Sequence, residues 1–255
     1  MKFSRIANGV VKACDDNDMM LFACDTLSLP TVHPEAAEEF KIWLKSNSVV
    51  GEPVKLSQNL LTLKEIYDTT LLAVLNAKYG DEMGVKYHQR CMKWLDSTDF
   101  FEAPASTAFH GSYPGGLIEH SLEVYNEICE LKSVPKFQSV DIASACLVAL
   151  IHDWCKIELY ESYNRNVKDE ETGKWTQVKA YKRGKPAFPF GHGTASMFLA
   201  QRFFKLNQEE CLAIQWHMGP WYIHEAEHND LQASNETYPL VHMLQFADQL
   251  SLVNY

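Results

Sequence analysis

The chain has 255 residues, 46% of them apolar, which suits a globular core of one large domain or one domain with an extension. Lys and Arg total 23 against 33 Asp and Glu, a formal charge of −10. That balance argues against a long duplex or an anionic membrane as partner, because both need a broad basic footprint. It leaves room for a small phosphorylated substrate, since a bound metal inverts the local field. The longest apolar run, Ala145 to Ile151, falls far short of the ~18 residues that span a bilayer. The start, MKFSRIANGVVKACDDND, has a basic end but no sustained apolar segment, so it does not read as a secretory signal. Seven scattered cysteines without a CxxC pair read as reduced and mostly structural, and the expected location is cytoplasmic.

In the first thirty residues, two apolar stretches flank Asp15-Asp16-Asn17-Asp18, which suits a hairpin. Pro34, with Glu35 and Glu38 in the first turn, starts a helix that ends near Ser46-Asn47-Ser48. Thr62 and Glu65 form a capping box before a helix whose apolar residues Ile66, Leu71, Val74 and Leu75 repeat at helical spacing. A further helix is expected from Asp81 to Leu95. Residues 1–100 thus read as a mostly helical N-terminal extension, with no cluster of metal-ligand side chains and no barrel pattern.

Residues 101–255 are richer. Leu117 to Lys132 reads as an amphipathic helix that turns His120 inward beside Val124, Ile128 and Leu131. Ser139 to Asp153 is nearly apolar all round, the mark of a buried central helix, and ends in His152-Asp153. Leu159 to Val167 and Trp175 to Lys182 flank Asp169-Glu170-Glu171-Thr172-Gly173 and read as a hairpin. Three more helices are expected: Thr194 to Phe204, Gln208 to His217 with an Asn207/Glu210 capping box, and Pro239 to Val253. The fold class is all-α with a small β-hairpin insertion.

The chemistry-bearing residues are His120, His152, Asp153, His192, His217 and Asp248. Each has a plainer reading by itself: a core histidine, a loop histidine, a helix-terminal dipole partner, a buried acceptor. Together they are costly to bury unless something pairs them. Imidazoles and carboxylates spread over several helices are the material of a metal site in a bundle core. His and Asp without Cys suit Mn, Fe, Zn, Co or Mg.

Their order resembles the HD-domain superfamily of metal-dependent phosphohydrolases, in which H…HD…H…H…D holds two metal ions. FHGSYPGGLIEHSL resembles the start of the first ligand helix in bacterial and phage HD-domain proteins and in an HD-type 3′-to-5′ exoribonuclease family. ALIHDWCKI resembles the HDxxK segment, with Cys155 where many relatives have glycine. FPFGHGTAS, AIQWHMGPW and LVHMLQFADQLS resemble the segments with the two further histidines and the last aspartate. The likeness covers residues 101–255, so an HD-domain helical bundle is expected there. The resemblance implies that His120, His152, Asp153 and Asp248 hold a first divalent ion. Asp153, His192 and His217 hold a second, with Asp153 as the bridge and Lys156 near a substrate phosphate. Asp153 and Lys156 are then the catalytic pair. Two such ions about 3.5–4 Å apart can share and acidify a water that attacks phosphorus.

The expected activity is hydrolysis of a phosphoester in a nucleotide or short oligonucleotide. The resemblance also leaves a 3′-to-5′ exoribonuclease and a di-iron oxygenase open, and a structural metal module stands as a third class. The exoribonucleases carry an N-terminal nucleic-acid-binding domain, for which residues 1–100 give no pattern. His110 and Tyr113 precede the first ligand helix and are candidate substrate contacts, with Gly115-Gly116 allowing close backbone approach. Lys182 and Arg183, in a basic cluster with Lys179 and Lys185, are candidate phosphate contacts at a hairpin lid. His224 and His228 read as surface residues, and Cys146 and Cys155 as core.

Overall fold

The computed structural model describes residues 2–5, 10–14, 20–25, 50–168, 172–221 and 223–253. Lys2–Arg5 (β1), Val10–Cys14 (β2) and Met20–Asp25 (β3) form an antiparallel meander, with Lys2 opposite Cys14 and Val10 opposite Asp25. The hairpin expected about Asp15–Asp18 is β2–β3, and β1 adds a third strand. Residues 1–100 thus hold a small sheet at their start as well as helices. Short segments with Val10, Val11 and Phe22 favour the pleated state, and no helical period runs through them. The helix expected from Pro34 lies outside the described residues.

Leu60–Tyr79 (α1) and Asp81–Leu95 (α2) form an antiparallel pair hinged at Gly80, whose φ of 79° only glycine adopts freely. Asn59, not Thr62, caps α1: its side chain accepts from Leu61 N at 3.0 Å and Thr62 N at 3.2 Å. Asn is as good a cap as Thr, and the earlier start brings Leu63 onto the buried face. His88 on α2 meets Asp68 on α1 at 2.6 Å.

This pair belongs to the main core. Leu63, Tyr67 and Leu71 join Leu117, Val148 and Met243 in one apolar cluster, continuous across residue 100. Tyr67 donates its hydroxyl to Leu150 O at 2.9 Å. Lys78, at the end of α1, pairs with the fully buried Glu210 and donates to Ser144 Oγ at 2.9 Å.

Gly116–Leu131 (α3) leads to Ile142–Ile151 (α4), where Asp141 caps by accepting from Ser144 N at 2.8 Å. Every residue of α4 from Ala143 onward is buried, as its all-apolar surface requires. A short 3₁₀ turn, Trp154–Lys156, follows. The buried Trp154 indole anchors it, 5.2 Å from the Trp94 ring of α2. Tyr160–Lys168 (β4) and Trp175–Arg183 (β5) then pair antiparallel, Tyr160 opposite Arg183 and Lys168 opposite Trp175.

His192–Gln201 (α5), Gln208–Trp216 (α6), His228–Thr237 (α7) and Pro239–Leu250 (α8) complete the bundle. α6 carries the Asn207/Glu210 capping box. α7 is hidden in the sequence because it buries only Leu231 and Ser234, too few for an apolar stripe. α8 packs against α3, α4, α6 and α7. The described residues are mainly helical, with the two small antiparallel sheets, and among them no helix is long and apolar enough to cross a membrane.

Candidate metal centre

Helix termini deliver most of the cluster. His152 ends α4, His217 ends α6, His192 opens α5, and Asp153 lies just beyond α4. His120 projects from within α3, and Asp248 comes from the last turn of α8. Gly193 explains one glycine of the Gly-His-Gly segment. A Cβ there would stand 2.1 Å from Gln215 O, so only glycine lets α5 start against α6. That approach puts the His192 and His217 rings 5.2 Å apart.

Asp153 is the hub. Its Oδ2 lies 3.4 Å from His120 Nε2 and 3.5 Å from His152 Nε2. Its Oδ1 lies 2.7 Å from His192 Nε2 and 3.5 Å from His217 Nε2. Asp248 Oδ1 closes the first group at 3.2 Å from His120 Nε2 and 3.7 Å from His152 Nε2. Ligand-type atoms of His120, His152 and Asp153 all lie within 4.8 Å of one another, and so do those of Asp153, His192 and His217.

The far sides of the rings are fixed. His152 Nδ1 meets Ala149 O at 2.7 Å, and His217 Nδ1 meets Ile214 O at 2.7 Å. A carbonyl only accepts, so each Nδ1 carries the hydrogen and each Nε2 is turned to the cluster; His217 is raised against its burial, first by its hydrogen bond to Asp153. Ser251 Oγ donates to Asp248 O at 2.7 Å, which leaves its oxygen to accept from His120 Nδ1 at 3.4 Å.

Burial would make His120 a weaker base, but hydrogen bonds to Asp153 and Asp248 outweigh it and push the imidazole up to about 9. His152 and His192 are pulled down, chiefly by burial. Burial works to raise Asp153, yet the Lys156 ammonium and the surrounding imidazoles hold it well below the usual carboxylate range. Asp248 is lowered in the same way against burial, by His120 first. Lys156 Nζ sits 2.5 Å from Asp153 Oδ2, and that attraction overcomes its own burial to push it up to about 12.

The donor set fits divalent cations. Two carboxylates and four imidazoles converge, and all but His192 are buried. Burying so many ionisable groups together is costly unless something pairs them. His120, His152 and Asp153 form one group that could hold a metal ion, and Asp153, His192 and His217 form another.

The cluster opens into a cleft of about 730 Å³. Lys156, His192, His110 and Arg183 line it, and Phe109 and Trp221, 82% and 65% exposed, stand at its rim. The His110 ring lies 5.1 Å from that of His120, and burial followed by repulsion from His120 lowers it to about 4. Of the expected substrate contacts, Tyr113 and Lys182 are not brought here. Tyr113 donates to Glu119 Oε2 at 2.5 Å beside a separate depression near Leu60. Lys182 lies on the opposite side of β5 from Arg183, by strand alternation, and pairs with Glu161 at 2.9 Å. Gly116 serves the chain's own packing: a Cβ there would stand 2.0 Å from Gly111 O.

Several contributors are invisible to the sequence reading. Cys155, read as a core residue, places Sγ 3.3 Å from His192 Nδ1, while burial and then Asp153 push its thiol up to about 12. Its backbone N donates to Ser196 Oγ at 3.0 Å. His224, read as a surface residue, is exposed but borders the cleft. Ser251 had one signal, its position one turn after Asp248 on the same helix. Comparison with known proteins returned no match to a family model, a curated protein or a solved structure.

Proposed function

We propose that this chain is a metal-dependent phosphohydrolase of the HD-domain type, acting on a nucleotide or short oligonucleotide. One observation carries the reading: the two carboxylate oxygens of Asp153 face two different pairs of imidazoles, Oδ2 toward His120 and His152, Oδ1 toward His192 and His217. A carboxylate so placed serves as the bridge between two cation sites. His120, His152, Asp153 and Asp248 would hold one divalent ion, and Asp153, His192 and His217 the other. A pair of such ions supplies an acidified water and positive charge for phosphoryl oxygens.

The protein's own groups account for the rest. Lys156 is held charged beside Asp153 and lines the cleft, where its ammonium attracts a phosphate oxygen. Arg183 adds a second cation from the hairpin side. His110 stays neutral at pH 7, so it meets a substrate as a hydrogen-bonding ring and not as a charge. The carbonyls of Ala149 and Ile214 keep His152 and His217 in the tautomer that presents Nε2.

Elemental analysis after reconstitution with Mn or Fe, followed by a phosphate-release screen over nucleotides, tests the reading. More than one ion per chain and release from at least one nucleotide are expected. A ceiling of one ion sinks the binuclear assignment, and no release from any nucleotide or short oligonucleotide sinks the hydrolase.

A further inference from the structure

The β4–β5 hairpin has two unlike sides. Residues opposed across an antiparallel pair share a side, and successive residues alternate. One side is led by the Glu161–Lys182 pair and continues through Tyr163, Arg165 and Val178. The other begins with Tyr160 opposite Arg183, passes Ser162 opposite the buried Tyr181, and runs outward through Asn164 opposite Lys179. It ends with Asn166 opposite Gln177 and Lys168 opposite Trp175. Lys179 Nζ stands 5.7 Å from the centre of the Tyr181 ring, its neighbour on that side.

The second side combines three properties. Its charged residues are Arg183, Lys179 and Lys168, with no carboxylate among the described residues, in a protein of net charge −10. Between the cations lie the side-chain amides of Asn164, Asn166 and Gln177, all exposed, with the exposed Trp175 indole at the outer end. Its inner end is continuous with the metal cleft, because Tyr160 and Arg183 line both.

We propose that this side of the hairpin binds a short single-stranded oligonucleotide and leads one end of it into the cleft. Spaced cations match spaced phosphates. Amides and an indole serve unpaired bases, whose edges and faces a duplex would hide. From Tyr160 to Lys168 the track measures about 27 Å at ~3.4 Å per residue, enough for a few nucleotides only. Beyond Lys168 the sequence turns acidic, Asp169-Glu170-Glu171. The proposal rests on the phosphohydrolase reading for what happens in the cleft, but the binding itself does not.

The test is fluorescence anisotropy of labelled, phosphorothioate-linked hexathymidylate with the metal-loaded full chain at low salt. Lys179→Glu is expected to weaken binding about tenfold and to flatten the salt dependence. Arg165→Glu makes the same charge change on the opposite side and is expected to shift affinity by less than about twofold. Equal losses in the two variants would overturn the proposal, as would no binding by the unaltered protein. Displacement by inorganic polyphosphate as effective as by unlabelled hexathymidylate would also overturn it, since the surface would then read charge alone. A Lys179-dependent affinity in a protein that releases no phosphate would support the track and sink the hydrolase.

Discussion

α4 and the β4–β5 hairpin are neighbours in the chain and opposites in burial. From Ala143 to Ile151 every residue of α4 is buried, whereas Tyr181 is the only buried residue described in either strand of the hairpin. The first can hold charged groups at its end because close packing fixes them and they compensate one another. The second carries side chains that solvent already satisfies, so changes there alter what the surface meets without loosening the core. The metal-ligand type side chains and the exposed arm thus differ sharply in burial, and the 3₁₀ turn Trp154–Lys156 lies between α4 and β4 in the chain. The contrast breaks if substitutions on the arm prove as damaging as substitutions at the end of α4.

The largest effect is expected at Asp153. Asp153→Ala removes the one group shared by both imidazole pairs, and turnover should fall roughly 10³-fold or more. Steady-state rates on the best nucleotide from the screen, with circular dichroism to verify folding, check this. Near-native turnover in a folded variant would show that Asp153 is only a buried acceptor.

A comparable effect, read in stability, is expected at Lys78. Lys78→Ala leaves the fully buried Glu210 carboxylate without its counter-ion and frees the end of α1 from the main bundle. A loss of about 3–5 kcal/mol is expected from breaking a buried pair on one side. Urea unfolding measures it. A shift as small as that of an exposed pair would mean that water reaches Glu210 and that α1 is less closely bound to the core.

Lys156 comes next, at the junction of the two regions. Lys156→Ala keeps the carboxylate hub but removes the ammonium 2.5 Å from it, so turnover should drop ~10–100-fold. Single-turnover rates at saturating metal separate this from lost metal binding. An unchanged rate would confine Lys156 to balancing the charge of Asp153.

The contrast also explains what could be read before the structure. α4 was legible because an all-round apolar segment has one physical outcome, and the histidine and aspartate ending it inherit its burial. α2 and the Asn207/Glu210 capping box were legible because their signals are local. Thr62 misled because Asn59 offers the same hydrogen bond three residues earlier, and nothing local ranks the two. The meeting of Lys78 with Glu210, and of Cys155 with His192, joins residues far apart in sequence or hidden by a turn. Tyr113 and His224 exchanged places relative to the cleft for the same reason: which loop borders a cavity is decided by tertiary packing. On the hairpin, adjacency in sequence groups Lys182 and Arg183 into one patch, but period-two alternation turns them opposite ways.

That separation supplies the smallest and most discriminating prediction. Arg183 lines the cleft beside Lys156 and His192, while Lys182 points to the other side and is engaged by Glu161. Both are exposed cations adjacent in sequence, so any effect of overall charge must strike them alike. An effect of position must not. Arg183→Ala should raise KM about fivefold, the upper range for one exposed charge contact, with kcat nearly unchanged because the contact exists in ground and transition states alike. Lys182→Ala should leave both parameters where they are. Paired Michaelis curves at two ionic strengths decide it: the Arg183 effect should shrink as salt screens the cleft mouth. Equal rises in KM for the two variants would mean that the arm acts through its net field, and that the sidedness of the hairpin has no part in recognition.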